Sequence, residues 1–343
     1  MMKKLLPFAA FIVLLFAVAA MLRNRPWKPG DSWRTPAAGE RIGSEEFLVW
    51  IDNDHLVAGL PGRTITCYQL GNVDPLWKRT LDGSVEMVAA SPDQVFACVG
   101  PVASPESHLL VLDATTGKTV RTVTGDEIEK LCGYSYFLPG GIAWLATPGA
   151  LALVNAGDEN EDNVCFLDKE LSKVIGRAKA PDHTTGVSTS PGAITVCKMT
   201  NQVHVIEAAT GHHIKHWGKG NADSAIDARA LSSAHGHGDG TLVLVHDNGG
   251  WSDGDVAITS AKSPSKFSSG NAHAVTAVDW NHRLVAISGT SKNITLKTLA
   301  GKSVAKLENA CSERIHIVAF SPAGNHVAAL SQAGELKVFD RPD

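Results

Sequence analysis

Short apolar runs separated by tight turns recur along almost the whole chain, and this repeat constrains the fold more than any other feature. The clearest copy is the last one, residues 317–340, where the runs "IVAF", "HVAAL" and "ELKVF" are separated by a Ser-Pro-Ala-Gly turn and by a turn at Gly334. Residues 84–100 repeat the first two runs and the Ser-Pro turn. Apolar runs joined in this way are typical of β-hairpins, because Gly adopts a positive φ without steric cost.

The spacing of these hairpins predicts the fold class. Seven units follow one another, with boundaries at 41–83, 84–126, 127–181, 182–220, 221–271, 272–312 and 313–340. Units of about 40 to 55 residues with four short strands each are typical of β-propeller blades. A parallel α/β fold would need helices between the strands, and residues 126–131 are too short and uncapped to supply one. We therefore expect an all-β, seven-bladed β-propeller of four-stranded antiparallel blades, preceded by an N-terminal hydrophobic helix.

The last unit contains only three strands before the chain reaches Asp343. A propeller is a closed ring, and an unfinished blade would leave a sheet edge free to pair with other chains. We expect the missing outer strand to come from residues 32–40. The predicted organisation is thus a hydrophobic segment at 1–25, a linker at 26–31, and a propeller at 32–343 whose N-terminal strand completes the last blade.

The hydrophobic segment predicts attachment to a membrane or export through it. Two lysines precede residues 5–22, which carry no charge, and this run is just long enough to cross a bilayer as a helix. An uncleaved anchor and a cleaved signal peptide both fit the pattern. Arg23 and Arg25 follow the run and favour a cytoplasmic body, whereas export is the usual fate after such a start. We expect a single-pass anchor with a periplasmic propeller, and the cytoplasmic orientation stays open.

The net charge argues against nucleic-acid binding, and the positions of the cysteines argue against a disulfide framework or a cysteine zinc site. The formal net charge of −4 argues against a nucleic-acid binder, which would carry a basic patch. The six cysteines are dispersed singly, without the close spacing of a disulfide framework or a zinc site. Most lie inside apolar runs, so we expect buried free thiols.

Histidines are concentrated in one part of the chain, with seven of the 14 between positions 204 and 246. The stretch "HGHGDG" brings His235, His237 and Asp239 to alternate positions, and Asp253 and Asp255 follow. Imidazole with carboxylate suits zinc or a similar divalent ion, so these three residues are a candidate metal site. The competing interpretation is a flexible Gly loop that happens to be rich in His.

A second His-rich stretch, "GHHIKHW", is predicted to be an outer strand rather than a ligand set. Strict alternation would put His212 and His216 on one face and His213 and Trp217 on the other. Nucleophile elbows and phosphate-binding loops do not occur in the sequence. We therefore expect no enzymatic activity and no cofactor.

The closing unit resembles a blade of the WD-repeat family (WD40/YVTN type). The turn at residues 321–324, the Gly334 turn and the strand "ELKVFD" match that family, and Phe339-Asp340 stands where the family has Trp-Asp. The resemblance implies a non-catalytic scaffold for protein–protein interactions, here tethered to a membrane and bound to protein partners of unknown identity.

Turns such as "DATTGK" also resemble those of quinoprotein propellers, which implies a second class of function. Trp217 lies six residues after Gly211 instead of four, so the tryptophan stacking of that family is not expected here. The alternatives to a scaffold are a His-rich metal-binding or quinoprotein-like exported enzyme, and a periplasmic propeller of the outer-membrane-assembly type.

Overall fold

The computed structural model describes residues 27–34, 46–60, 62–100, 107–156, 163–180, 184–198, 202–217, 231–246, 255–259, 265–269 and 274–342. These residues form seven four-stranded antiparallel sheets and one α-helix. The prediction of a seven-bladed propeller with four-stranded antiparallel blades is confirmed. We number the blades along the chain from the first complete sheet.

The first four blades follow the order of the chain, each with its first strand innermost. Blade 1 comprises β2 to β5 (Phe47–Trp50, His55–Gly59, Thr64–Gln69, Trp77–Thr80). Blade 2 comprises β6 to β9 (Val85–Ala90, Gln94–Val99, His108–Asp113, Thr119–Thr124). Blade 3 comprises β10 to β13 (Pro139–Leu145, Ala150–Asn155, Val164–Asp168, Val174–Ala178). Blade 4 comprises β14 to β17 (Thr184–Ser190, Ala193–Lys198, Gln202–Glu207, His213–Trp217).

The remaining blades complete the ring and include the one strand that is out of chain order. Blade 5 comprises β18 to β21 (Leu231–Gly236, Leu242–His246, Asp255–Thr259, Ser265–Ser268). Blade 6 comprises β22 to β25 (Val275–Asp279, Leu284–Ser288, Ile294–Thr298, Ser303–Leu307). Blade 7 comprises β26 to β28 (Ile315–Phe320, His326–Ser331, Glu335–Asp340), with β1 (Lys28–Arg34) as its outer strand.

The ring closes through the first strand of each blade. These strands contact one another in the order β2, β6, β10, β14, β18, β22, β26 and back to β2. Seven apolar clusters fill the spaces between successive blades, one cluster for each neighbouring pair. Because both faces of each sheet pack on a neighbour, the inner strands are apolar almost throughout. The outer strand β9, by contrast, is mostly exposed.

Strand β1 supplies the outer strand that blade 7 lacks. It runs antiparallel to β28, with Trp33 opposite Leu336 and Arg34 opposite Glu335. Its bounds differ from the prediction, since it begins four residues before position 32 and occupies part of the segment 26–31 that was predicted to be a linker. Residues 35–40 lie outside the described residues.

Helix α1 (Gly125–Cys132), between blades 2 and 3, contradicts the expectation that this segment is too short and uncapped to form a helix. Thr124 and Glu127 form a reciprocal capping box, and Gly133 ends the helix in the left-handed conformation. Ile128 is buried against the neighbouring strands. The Thr-x-x-Glu spacing was the sequence signal for this helix, and it was missed because only the six residues after the cap were considered.

The predicted N-terminal hydrophobic helix, residues 1–25, lies outside the described residues. Within the part of the chain that the structure describes, no helix has the length and apolarity needed to cross a bilayer.

All six cysteines are described by the structure; they are buried and form no disulfide, as the sequence predicts. Burial raises the pKa of the Cys67, Cys98 and Cys311 thiols to about 12. Because the thiolate is the reactive form, these side chains act as small apolar residues of the core.

Candidate functional site

The two ends of the ring carry very different connections. Because the strands of each blade alternate in direction, the turns from first to second strand and from third to fourth strand lie at one end, which we call the turn face. The other connections lie at the opposite end, which we call the loop face. Every connection of eight or more residues belongs to the loop face: 35–46, 100–107, 125–138, 156–163, 218–230 and 247–254.

The long connections of the loop face are rich in acidic residues. In all but one of the six, Asp and Glu outnumber Lys and Arg, although the whole chain has a net charge of only −4. Among the described residues of these connections, Asp126 is exposed in the first turn of α1, and Tyr136, in the same connection, is 51% exposed. Exposed tyrosines are enriched in protein-binding surfaces.

A side-chain hydrogen bond joins the two ends of the ring on the loop face. His316 Nδ1, on the first strand of blade 7, lies 2.9 Å from Glu46 Oε1, just before blade 1. Both side chains are about a quarter exposed, at 22% and 23%. This contact fixes the entry of the chain into blade 1 next to the last blade.

On the turn face, polar groups are used to link blades to each other. Asn281 in blade 6 donates its side-chain N–H to the carbonyl of Pro322 in blade 7, over 3.2 Å. The backbone N–H of Ala323 then donates to Asn53 Oδ1 in blade 1, over 2.8 Å. His282 Nδ1 lies 2.6 Å from the buried Asp279 carboxylate in the same turn region. These contacts stabilise the ring where its two ends meet.

The residues predicted to bind metal lie at the turn face of blade 5. His237 and Asp239 are in the turn after β18, with His237 Nδ1 3.1 Å from Asp239 Oδ1. His235 is directed elsewhere: its Nε2 lies 3.0 Å from Thr276 Oγ1 in blade 6. Asp255 pairs with Lys266 at 3.0 Å, and residue 253 lies outside the described residues.

The structure therefore brings together two of the three predicted ligands. In the described part of the chain, no group of three or more His, Cys, Asp or Glu side chains could hold a metal ion in the arrangement that the structure shows. The assignment of a metal to His235, His237 and Asp239 stays a prediction.

The environment of His235 predicts a loss of stability in acid. Burial lowers the pKa of His235 from 6.5 to about 4, against a smaller opposing effect of the hydrogen bond with the Thr276 backbone. Between these two values the unfolded chain binds a proton that the folded chain does not, so the free energy of unfolding decreases as the pH falls from about 6.5 towards 4. Denaturant unfolding at about pH 7 and pH 5 should show this decrease, and His235→Gln should reduce it. An equal decrease in the variant would contradict the assignment to His235.

Three other histidines form a cluster that alternation along the strand did not predict. In blade 4, His204 on β16 is opposite His216 on β17, while Ile206 is opposite His213. Ile214 is left unpaired, so β17 has a β-bulge there. A bulge inserts one residue and changes which side chains share a face. The expectation that His213 and His216 lie on opposite faces is therefore wrong, because both rings contact His204.

Outer strands also dock on the Gly turns of the next blade. Trp77 in blade 1 donates its Nε1–H to the Ala114 carbonyl of blade 2 over 2.7 Å, and its ring packs against Gly117. Trp33 in blade 7 donates to the carbonyl of Asn72 in blade 1 over 2.9 Å. The expectation that the tryptophan stacking of quinoprotein propellers is absent stays a prediction. The two contacts described here, between neighbouring blades, were not foreseen from the sequence.

Comparisons with known proteins agree with this geometry. A chain of a Mitotic Checkpoint Complex crystal structure is similar with a TM-score of 0.64 and 13% identity, over 92% of this chain and 95% of that chain. The β-propeller domain of Myceliophteria thermophila Cps50 (Swd1) gives a TM-score of 0.60 at 13% identity, over 92% and 100%. No protein-family model and no curated protein matches the sequence. At this level of identity the similarity shows the fold alone, which is a seven-bladed β-propeller.

Proposed function

We propose that the chain is a non-catalytic scaffold that binds protein partners through its loop face. The observation that carries this proposal is the distribution of connections: all of those with eight or more residues leave from one end of the ring. Loops held by a rigid framework are where binding residues concentrate, because the framework fixes their ends while their sequences vary freely.

The charge of the same connections indicates what kind of partner would fit. Asp and Glu prevail in them, while the described turn face uses its polar groups to link blades. Complementary potentials raise association rates and select against wrong partners. A partner with a basic surface is therefore the best match.

The similar structures support a scaffold by analogy of fold. One of them is part of a Mitotic Checkpoint Complex, so that propeller works within an assembly of proteins. Fold alone does not fix function, and the analogy adds weight to an argument that rests on the loop face.

The proposal includes attachment to a membrane through residues 1–25. The uncharged run at 5–22 supports it, and Trp27 follows closely as the first described residue, buried between blades 6 and 7. A short connection of this kind would hold the ring close to the bilayer, with the propeller on the periplasmic side.

Cross-linking in intact cells tests the scaffold directly, with the cross-linked protein purified from the membrane fraction. We expect specific protein partners, and we expect their yield to fall several-fold in a Tyr136→Ala/Asp126→Asn double variant of the loop face. The matched control is Val73→Ala/Asp74→Asn, which changes an exposed apolar residue and an acid on the turn face.

The cross-linking results distinguish binding through the loop face, an assembly-type propeller and membrane attachment from one another. Recovery of no partner, or equal losses in the two double variants, would contradict binding through the loop face. Recovery of outer-membrane-assembly proteins would identify the assembly-type propeller. Recovery of the protein in the soluble fraction alone would contradict membrane attachment without touching the scaffold proposal.

A further inference from the structure

Three imidazole rings lie together on the two outer strands of blade 4, β16 and β17. The ring centroids of His204 and His216 are 4.4 Å apart, and those of His204 and His213 are 5.0 Å apart. The ring planes cross at 71° and 68°, so in each pair the edge of one ring packs against the face of the other. His204 and His213 are half-buried, and His216 is exposed to solvent.

One ring nitrogen of this cluster is buried without a hydrogen-bond partner among the described residues. This nitrogen is His204 Nδ1. Buried polar atoms are almost always satisfied, and an exception often marks the place of a bound water or ion. A neutral imidazole nitrogen without a proton presents a lone pair, which is what a metal ion requires.

The spacing of the rings matches a shared ion. With zinc–nitrogen bonds of about 2.1 Å and tetrahedral angles, the centroids of two bound imidazoles lie about 5 Å apart. The observed separations are close to this value. Since the donor atoms do not yet surround one point, the rings have to turn about their Cβ–Cγ bonds, and such torsions to an aromatic ring are broad.

We propose that His204, His213 and His216 bind one divalent transition-metal ion, with zinc as the representative. Three imidazoles suit Zn²⁺, Cu²⁺ and Ni²⁺ rather than Ca²⁺ or Mg²⁺, which prefer oxygen. The exposed position of His216 leaves the fourth ligand site to water. The site would join β16 to the bulged part of β17.

The test is metal binding by the purified, untagged full chain after treatment with a chelator. Titration with ZnCl₂ by calorimetry should give a stoichiometry near one. Titration with Co²⁺ should give the intense visible absorption of a tetrahedral site. Substitution of residues that merely support a metal ligand costs about 10–100-fold in affinity, so we expect His204→Gln and His216→Gln to weaken binding by at least about 100-fold.

Two controls locate the site. His212→Gln changes the exposed neighbour of the cluster and should bind zinc like the unmodified chain. The His235→Ala/His237→Ala variant removes the site predicted from sequence and should also bind normally. Binding that survives His204→Gln and His216→Gln, or that is lost with His235 and His237, would overturn the proposal, as would absence of stoichiometric binding. Because His216 is exposed, its variant should keep the cooperative unfolding of the metal-free chain, which excludes misfolding as the cause of a loss.

Discussion

Deletion of Lys28–Arg34 is expected to abolish cooperative folding of the propeller. This segment is strand β1, and it is the only part of the described N-terminal region that pairs with the last blade. Without it the apolar strand β28 becomes an unpaired edge, which is a template for aggregation. The two ends of the ring would also lose the β-ladder that holds them together.

The side chains of β1 add to this effect. Trp33 is 7% exposed and packs between blades 7 and 1, where it contacts the ring of Tyr68 at a centroid distance of 5.1 Å. Asp31 accepts a hydrogen bond from the Gly71 backbone over 2.7 Å. Removal of one buried Trp side chain costs about 3–5 kcal/mol. Together with the lost ladder, this loss is comparable to the whole stability of a typical domain, which is about 5–15 kcal/mol.

Denaturant unfolding followed by circular dichroism measures the result. The deletion variant should lack a cooperative transition or should aggregate, and Trp33→Ala should unfold cooperatively with a reduced midpoint. A matched control removes residues 2–24, which precede the buried Trp27, and should unfold like the full chain. A deletion variant of β1 with a normal transition would show that blade 7 does not need its N-terminal strand.

The sequence specified the repeat well and the details of single blades less well. Apolar runs and Gly turns placed all seven blades within the expected boundaries, because inner strands buried on both faces must be apolar. The need to close a ring located the strand at Trp33 to within a few residues, although its exact ends depend on pairing with β28. Helix α1 was missed even though its capping signals are present at Thr124 and Glu127.

The arrangement of candidate ligands depended on features that a pattern of residues does not encode. Alternation predicts faces only while a strand keeps its register, and the bulge at Ile214 brought His213 and His216 to the same face of β17. In the same way, the proximity of His235 to Thr276 comes from packing between two blades. Local spacing places His237 and Asp239 together, because both belong to one turn.

Gly211→Ala is expected to destabilise the propeller by about 3 kcal/mol or more. Gly211 lies in the turn between the third and fourth strands of blade 4, at φ 72°, a conformation that costs other residues about 1–2 kcal/mol. An added Cβ would also lie well inside van der Waals contact with the Arg177 carbonyl of blade 3. Because that neighbour is backbone, relief requires movement of β13 away from blade 4, and overpacking of this kind adds about 1–3 kcal/mol.

The Gly192→Ala variant separates the cost of a positive φ from the cost of the close contact with the Arg177 carbonyl. Gly192 is in another turn of the same blade at φ 74°, yet an added Cβ there meets nothing within 4 Å. The free energy of unfolding of this control should therefore decrease only by the cost of the positive φ, about 1–2 kcal/mol, as measured by denaturant titration. Equal losses in the two variants would mean that the contact between blades 3 and 4 at Arg177 is loose. A larger loss at Gly211 would instead show that close docking of the outer strand on the next Gly turn stabilises the ring.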